Sequence, residues 1–259
     1  MHPADWRLIN GDFLEAIPAA LGRGRGNATA RRLAQSDWLL RQKSDGRFIA
    51  VRRGEILTEL HRGGLTPELR DDLASLAQAD ADIGMLRPMH GLLERLRRVG
   101  LAEDYGERSG LSLVAEPGVL SYAGRDRYQR PLWLTDGAAR AWRAMQAAAL
   151  QHGVMLQAIS GYRSHDYQLG IFQRKLARGQ SVDEILTVNA APGYSEHHGG
   201  NALDIGTPGE PAAEESFERT PAFEWLGEHA GRFGFSMSYP RNNRHGIVYE
   251  PWHWLHAPG

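Results

Sequence analysis

The chain has no cysteine in 259 residues, and that absence constrains its fold more than any other single feature. No disulfide can staple a loop-rich scaffold, so the fold has to rest on buried apolar surface. No thiolate is present to act as nucleophile or metal ligand, so a transition metal has to be held by His, Asp and Glu alone. Hydrophobic residues at 42% and charged residues at 24% are ordinary for a globular protein. The length accommodates one large domain, or one domain with a smaller companion.

Lys and Arg total 30 against 31 Asp and Glu, a formal net charge of −1. This balance gives no general attraction to nucleic acid or to an anionic membrane. Residues 1–7 lack the basic and apolar regions of a secretory signal. No uncharged apolar stretch reaches the ~18–20 residues that span a bilayer; the richest, residues 138–159, is interrupted by Arg140, Arg143 and His152. The expectation is a soluble, cytoplasmic protein with neither nucleic acid nor membrane as partner, or a periplasmic one if a leader has been removed. No pattern specifies an oligomeric state.

Along the chain, residues 1–105 read as a mixed α/β accessory region of unassigned role. Residues 13–21 have helical spacing, and Gly22-Arg-Gly-Arg-Gly-Asn27 is a break. The segments 38–43 and 48–53 flank Ser44-Asp-Gly, a hairpin signal. Thr66-Pro67 has the N-cap and N1 pattern of a helix start, and Leu92, Leu93 and Leu96 mark a second helix. The basic clusters (Arg23, Arg25, Arg31, Arg32, then Arg95, Arg97, Arg98) read as solvated faces in a chain of balanced charge.

The texture turns polar and Gly-bearing around residues 103–110, which puts a domain boundary between 105 and 106. Residues 106–259 then predict strands at 111–115, 132–134 and 155–160. Helices are expected from Ala138 to His152, capped by Thr135 and stopped by Gly153, then near 166–178 and 221–233. Such alternation indicates an α+β domain with a small, largely antiparallel sheet.

Chemistry concentrates in two places. Ser195-Glu-His-His-Gly-Gly-Asn-Ala-Leu-Asp204 packs potential ligands among small residues, with glycines that allow close backbone approach. Glu250-Pro-Trp-His253 lies near the C-terminus, with His256 beyond it. Two His and one carboxylate supply the three protein ligands of a catalytic zinc, whose fourth position is left for water. A Glu just outside that shell can take a proton from water and return it to a leaving amine. Spacing alone does not separate such a site from ordinary polar decoration, because His pairs such as His197-His198 are common without metal.

The order of the motifs carries more. Ser195-x-His197-x-x-Gly200-x-Ala202-x-Asp204 followed by Glu250-x-Trp252-His253 resembles the paired signature of the LAS zinc metallopeptidases. It is most similar to the VanY-like D-Ala-D-Ala carboxypeptidase and L,D-carboxypeptidase branch. Ser160-Gly-Tyr-Arg-Ser164 with Gln168, and the 225–240 stretch ending in Ser238-Tyr-Pro, resemble segments usual in that branch. The resemblance covers roughly residues 110–259.

It implies the LAS/hedgehog-like α+β fold and Zn2+ on His197, Asp204 and His253. It also implies Glu250 as general base and then acid, and Arg163 as the group stabilising the oxyanion. Gln168, Ser195, Ser160 and Tyr162 are the implied substrate-binding residues. The implied reaction removes a terminal D-alanine from a peptidoglycan stem peptide or muropeptide, with D,D or L,D specificity undecided by shared motifs. A cytoplasmic location would suit muropeptide recycling and so the L,D reaction. Alternatives are an endolysin-like peptidoglycan endopeptidase and, with less support, a zinc-bearing binding module without catalysis. His198 and Asn201 depart from the residues usual at their positions and set polar groups near the expected metal.

Overall fold

The computed structural model describes residues 5–24, 26–61, 65–78, 85–89 and 91–257; Arg25, within the expected break, lies outside them. The chain divides into two compact units, Met1–Pro88 with Glu116–Tyr122, and Met89–Ala115 with Ala123–Gly259. The boundary expected between 105 and 106 therefore falls inside the second unit. No helix among the described residues is long and apolar enough to cross a membrane.

The first unit is built from β1 (Arg7–Asn10), β2 (Leu14–Pro18), α1 (Asn27–Ala34), β3 (Trp38–Gln42), β4 (Phe48–Arg53), β5 (Ile56–Glu59) and α2 (Pro67–Gln78). The opening residues of β6 (Val119–Arg125) belong to it as well. The strands pair antiparallel in the order β5-β4-β3-β2-β1-β6. The expected hairpin is β3–β4. The expected helix start is the N-terminus of α2, where Thr66 Oγ1 accepts the N–H of Leu69 (3.3 Å).

Residues 13–21, read as helical, instead form β2 followed by a single 3₁₀ turn. All five residues of β2 are buried between β1 and β3. Two-sided burial removes the polar alternation that marks a strand in sequence, and pairing overrides the helical spacing. Ile9, Leu14, Ala16, Leu40 and Ile49 form a core with Leu69 and Leu76 of α2.

The second unit contains α3 (Leu92–Arg98), α4 (Tyr105–Ser109), β7 (Pro131–Leu134), α5 (Asp136–Gln151), β8 (Gln157–Ser160), α6 (His165–Ala177), α7 (Val182–Val188), β9 (Ala202–Gly206), α8 (Pro221–His229), β10 (Phe235–Met237) and β11 (His253–His256). Residues 111–115, expected as a strand, run as irregular chain tied by the Val114 N–H to Gly193 O (2.8 Å). The chain becomes a strand only at Val119. α3 and α4 belong to this unit because Leu92, Leu96 and Tyr105 pack on Ala191 and Tyr194, a contact invisible to a boundary drawn on composition.

The sheet of this unit is small and antiparallel, ordered β10-β11-β9-β8, as the sequence predicts. Thr135 caps α5 by accepting the Ala138 N–H. One face of that helix buries Ala138, Ala139, Trp142, Met145 and Ala149 against Leu203 and Ile205 of β9, Phe235 of β10 and Trp254 of β11. Truncating the fully buried Trp142 to Ala would remove on the order of 3–5 kcal/mol from this packing. That packing holds β9 and β11, which carry the chemical residues, on a rigid base.

Candidate metal centre and active site

Sheet register sets the chemical side chains abreast. Ser160 on β8 pairs with Asp204 on β9, and Asp204 pairs with His253 on β11. A one-residue slip would turn Asp204 to the opposite face, so burial of β9 on both sides fixes the site as well as the fold. His197 arrives from the 3₁₀ turn Glu196–Gly199, closed by Gly200 at φ +70°, a conformation glycine adopts without strain. One donor atom from each of His197, Asp204 and His253 lies within 4.8 Å of the other two, and all three residues are buried.

The hydrogen bonds select which nitrogens face inward. His197 Nδ1 lies 2.7 Å from Gly161 O and donates to it, which leaves Nε2 as the lone-pair nitrogen. That Nε2 is buried, sits 3.3 Å from Asp204 Oδ1 and makes no hydrogen bond. Gly161 permits the approach: a Cβ there would lie 2.7 Å from Leu132 Cδ1 and 3.0 Å from Trp133 O. His253 turns Nδ1 toward Asp204 Oδ1 (3.1 Å) and Nε2 toward Glu196 Oε2 (2.8 Å).

Electrostatics match a cation site. Burial, reinforced by the Arg163 charge, lowers the His197 pKa to about 4, so its ring is neutral at pH 7. Burial opposes ionisation of Asp204, yet the two imidazoles hold its carboxyl well below the usual carboxylate range. For His253, burial works against protonation, but the hydrogen bonds to Asp204 and Glu196 outweigh it and raise the pKa to about 10. Burial pushes Glu250 up to about 7; its Oε2 lies 3.8 Å from His253 Nδ1. Two imidazoles and an ionised carboxylate, with one buried nitrogen lacking a partner, fit zinc in type and number.

A cavity of about 300 Å³ opens on this cluster. It is lined by the three donor residues and by Arg163, Gln168, Ser195, Tyr239, Glu250 and Trp252 among others. Arg163 donates its backbone N–H to His197 O (3.2 Å), and its Nε is buried without a hydrogen bond. Gln168 anchors its amide nitrogen on Ala190 O (3.2 Å) and leaves Oε1 buried and unbonded. Of the residues singled out in sequence, Ser160 and Tyr162 do not reach this wall. Ser160 stands beside Asp204 in the sheet, and the Tyr162 backbone N–H donates to Trp133 O (3.0 Å).

The two departures from the family pattern serve the scaffold. His198 Nδ1 donates to Arg163 O (2.6 Å), and its Nε2 accepts the Gly193 N–H (3.0 Å). Its ring is thus committed to backbone and does not replace His197. Asn201 Oδ1 accepts the Thr135 hydroxyl (2.5 Å), joining the motif loop to the cap of α5. His256 packs against Phe235 (5.2 Å between ring centroids) outside the cavity lining.

Sequence reading assigned nothing to Glu196 or Tyr239. The Tyr239 ring lies 4.8 Å from that of His253, tilted by 39°, and burial raises its hydroxyl pKa far above the ordinary value. The available signals were the adjacency of Glu196 to His197 within one tight turn, and Tyr239 inside the Ser238-Tyr-Pro240 stretch.

The VanY family, described as D-alanyl-D-alanine carboxypeptidase, matches residues 131–259. This part of the chain belongs to that family. Putative carboxypeptidase YodJ of Bacillus subtilis is 37% identical over 125 residues, covering 47% of this chain and 45% of the relative. A D-alanyl-D-alanine carboxypeptidase of Enterococcus faecium is 37% identical over 97 residues, covering 36% of this chain and 27% of the relative. The chain thus spans less than half the length of either. Among solved structures, the LdcB LD-carboxypeptidase aligns with TM-score 0.48 and 31% identity, over 51% of this chain and 64% of that one. A vancomycin-resistance D,D-pentapeptidase VanY in complex with Zn(II) aligns with TM-score 0.43 and 27% identity, over 54% and 78%. The stretch that the family matches, residues 131–259, contains every cavity residue named above.

Proposed function

We propose that the chain is a zinc-dependent carboxypeptidase that releases a C-terminal D-alanine from peptidoglycan stem peptides. The observation that carries this reading is the cavity in which three mutually close donors, a desolvated Glu250 and the unbonded Nε of Arg163 converge. The VanY family match and the D-Ala-D-Ala carboxypeptidases among its relatives support the substrate class.

His197 Nε2, Asp204 and His253 would hold the zinc, which when bound supplies Lewis acidity toward water and a substrate carbonyl. Glu250 accepts the proton of the attacking water as its oxygen bonds to the peptide carbonyl carbon. It then returns that proton to the nitrogen of the departing D-alanine as the C–N bond breaks. A carboxylate raised toward neutrality by burial is suited to taking and returning a proton. Arg163 donates to the oxyanion as it develops, with a guanidinium that stays protonated and brings a fixed fork of donors. Gln168 Oε1 and Ser195 remain as polar groups to orient the peptide and its terminal carboxylate.

Mass spectrometry of products from purified tetrapeptide and pentapeptide muropeptides tests the reading. Loss of one D-alanine residue is expected. Release from pentapeptide alone assigns D,D specificity and release from tetrapeptide assigns L,D specificity. Cleavage only within a chain or cross-link would replace the carboxypeptidase reading with an endopeptidase one.

A further inference from the structure

The two imidazoles of the donor cluster present opposite nitrogens, and each is held from behind. For His197 the holder is a backbone carbonyl, Gly161 O on Nδ1. For His253 it is a carboxylate, Glu196 Oε2 at 2.8 Å from Nε2. Glu196 belongs to the same 3₁₀ turn that delivers His197, so one short segment controls two of the three donor residues. Its side chain is 22% exposed and does not line the cavity, and it is not one of the clustered donors. The Tyr239 ring closes on the imidazole at 4.8 Å. The His253 ring is therefore gripped at its outer nitrogen and along one face.

We propose that Glu196 is a positioning residue for the metal: it takes the Nε2–H of His253 and so presents the Nδ1 lone pair beside Asp204 and His197. The inference rests on the zinc reading given above. Its physical basis is general. An imidazole ligand carries one proton, and the partner of the outer nitrogen decides which nitrogen keeps it and how the ring is aimed. A carboxylate partner also makes the ring a stronger donor, and losing such a partner costs roughly 10–100-fold in metal affinity.

The test compares the full chain with Glu196→Ala, Glu196→Gln and Glu196→Asp, measuring zinc affinity by competition with a chromophoric chelator. Zinc affinity is expected to be about 10–100-fold weaker for Glu196→Ala. Glu196→Gln, whose amide oxygen can accept the same N–H, should stay much closer to the parent protein. Long-range proton–nitrogen NMR of the zinc-loaded protein should show His253 protonated at Nε2 in the parent and in Glu196→Gln. Glu196→Ala should lose that single tautomer.

A folded Glu196→Ala with parental zinc affinity and an unchanged His253 signature overturns the proposal. If Glu196→Ala does not fold, Glu196→Asp decides, because it keeps the charge but withdraws the oxygen. Weakened zinc supports the role and unchanged zinc removes it. His197→Ala is the control: should parent and His197→Ala bind zinc equally, the metal centre itself is wrong. Should only the Glu196 variants match the parent, the centre stands and Glu196 is not its positioner.

Discussion

The two units treat buried polar groups in opposite ways. In the first, Asp72 on α2 accepts the backbone N–H groups of Asp12, Phe13 and Leu14 at 2.6–2.8 Å. Lys43, 4% exposed, donates to Glu116 at 2.5 Å and to Gly11 O at 2.7 Å. These charges are closed on themselves and carry the bend between β1 and β2. In the second unit, His197 Nε2, Arg163 Nε and Gln168 Oε1 are buried beside a cavity with nothing to bond. Desolvation without a partner costs free energy, so a converging set of such atoms marks a place where a missing ligand supplies the bonds. Closed polar networks build structure, and open ones bind.

The largest effect that sharpens this contrast should come from Glu250→Ala. It removes the proton carrier but none of the three donors, so turnover should fall by roughly 10²–10⁴-fold while zinc content and melting temperature hold. Parallel loss of zinc would mean Glu250 belongs to the donor set. Next is Arg163→Lys, expected to lower kcat by roughly 10²–10³-fold with a smaller change in KM. A point charge cannot replace the planar fork where charge develops. Equal losses in both parameters would make Arg163 a ground-state binder.

Much of the second unit is written in local sequence. Thr135, Ser164, Ser181 and Thr220 each cap a helix through the side chain, and the spacing of Trp142 and Met145 declares the buried face of α5. The donor trio was legible because His197 and Asp204 share one short motif and His253 lies in a second one, which strand pairing sets beside Asp204. What stayed hidden depends on distant contacts. Residues 92–98 join the second unit through packing on Ala191 and Tyr194 and through the Arg95–Asp166 ion pair. β2 lost its alternation because both of its faces are buried. Ser160 and Tyr162 sit in a motif whose neighbour Arg163 lines the cavity, but neither is among the lining residues. Glu196 was readable as a carboxylate but not as the partner of His253, which lies far along the chain.

The smallest effect, and the one that tests the closed half of the comparison, should come from Asp72→Ala. Three inward-facing N–H groups would lose a charged acceptor, and charge-assisted hydrogen bonds of this kind contribute about 1.5–3 kcal/mol each when measured singly. Because one carboxylate serves all three, and water can reach the partly buried ones, the net loss should be about 3 kcal/mol rather than the sum. Gly11 strengthens the case: a Cβ there would lie 2.3 Å from Asp72 Oδ1, so loop and carboxylate are fitted to each other. Chemical denaturation should show the transition of the first unit moving to lower denaturant, while zinc affinity of the folded protein stays at its parental value. Asp72→Asn should fall between the two, since its one amide oxygen can serve only part of the loop. A variant that lost zinc affinity with its stability unchanged would reverse the assignment and make the Asp72 network part of a binding site.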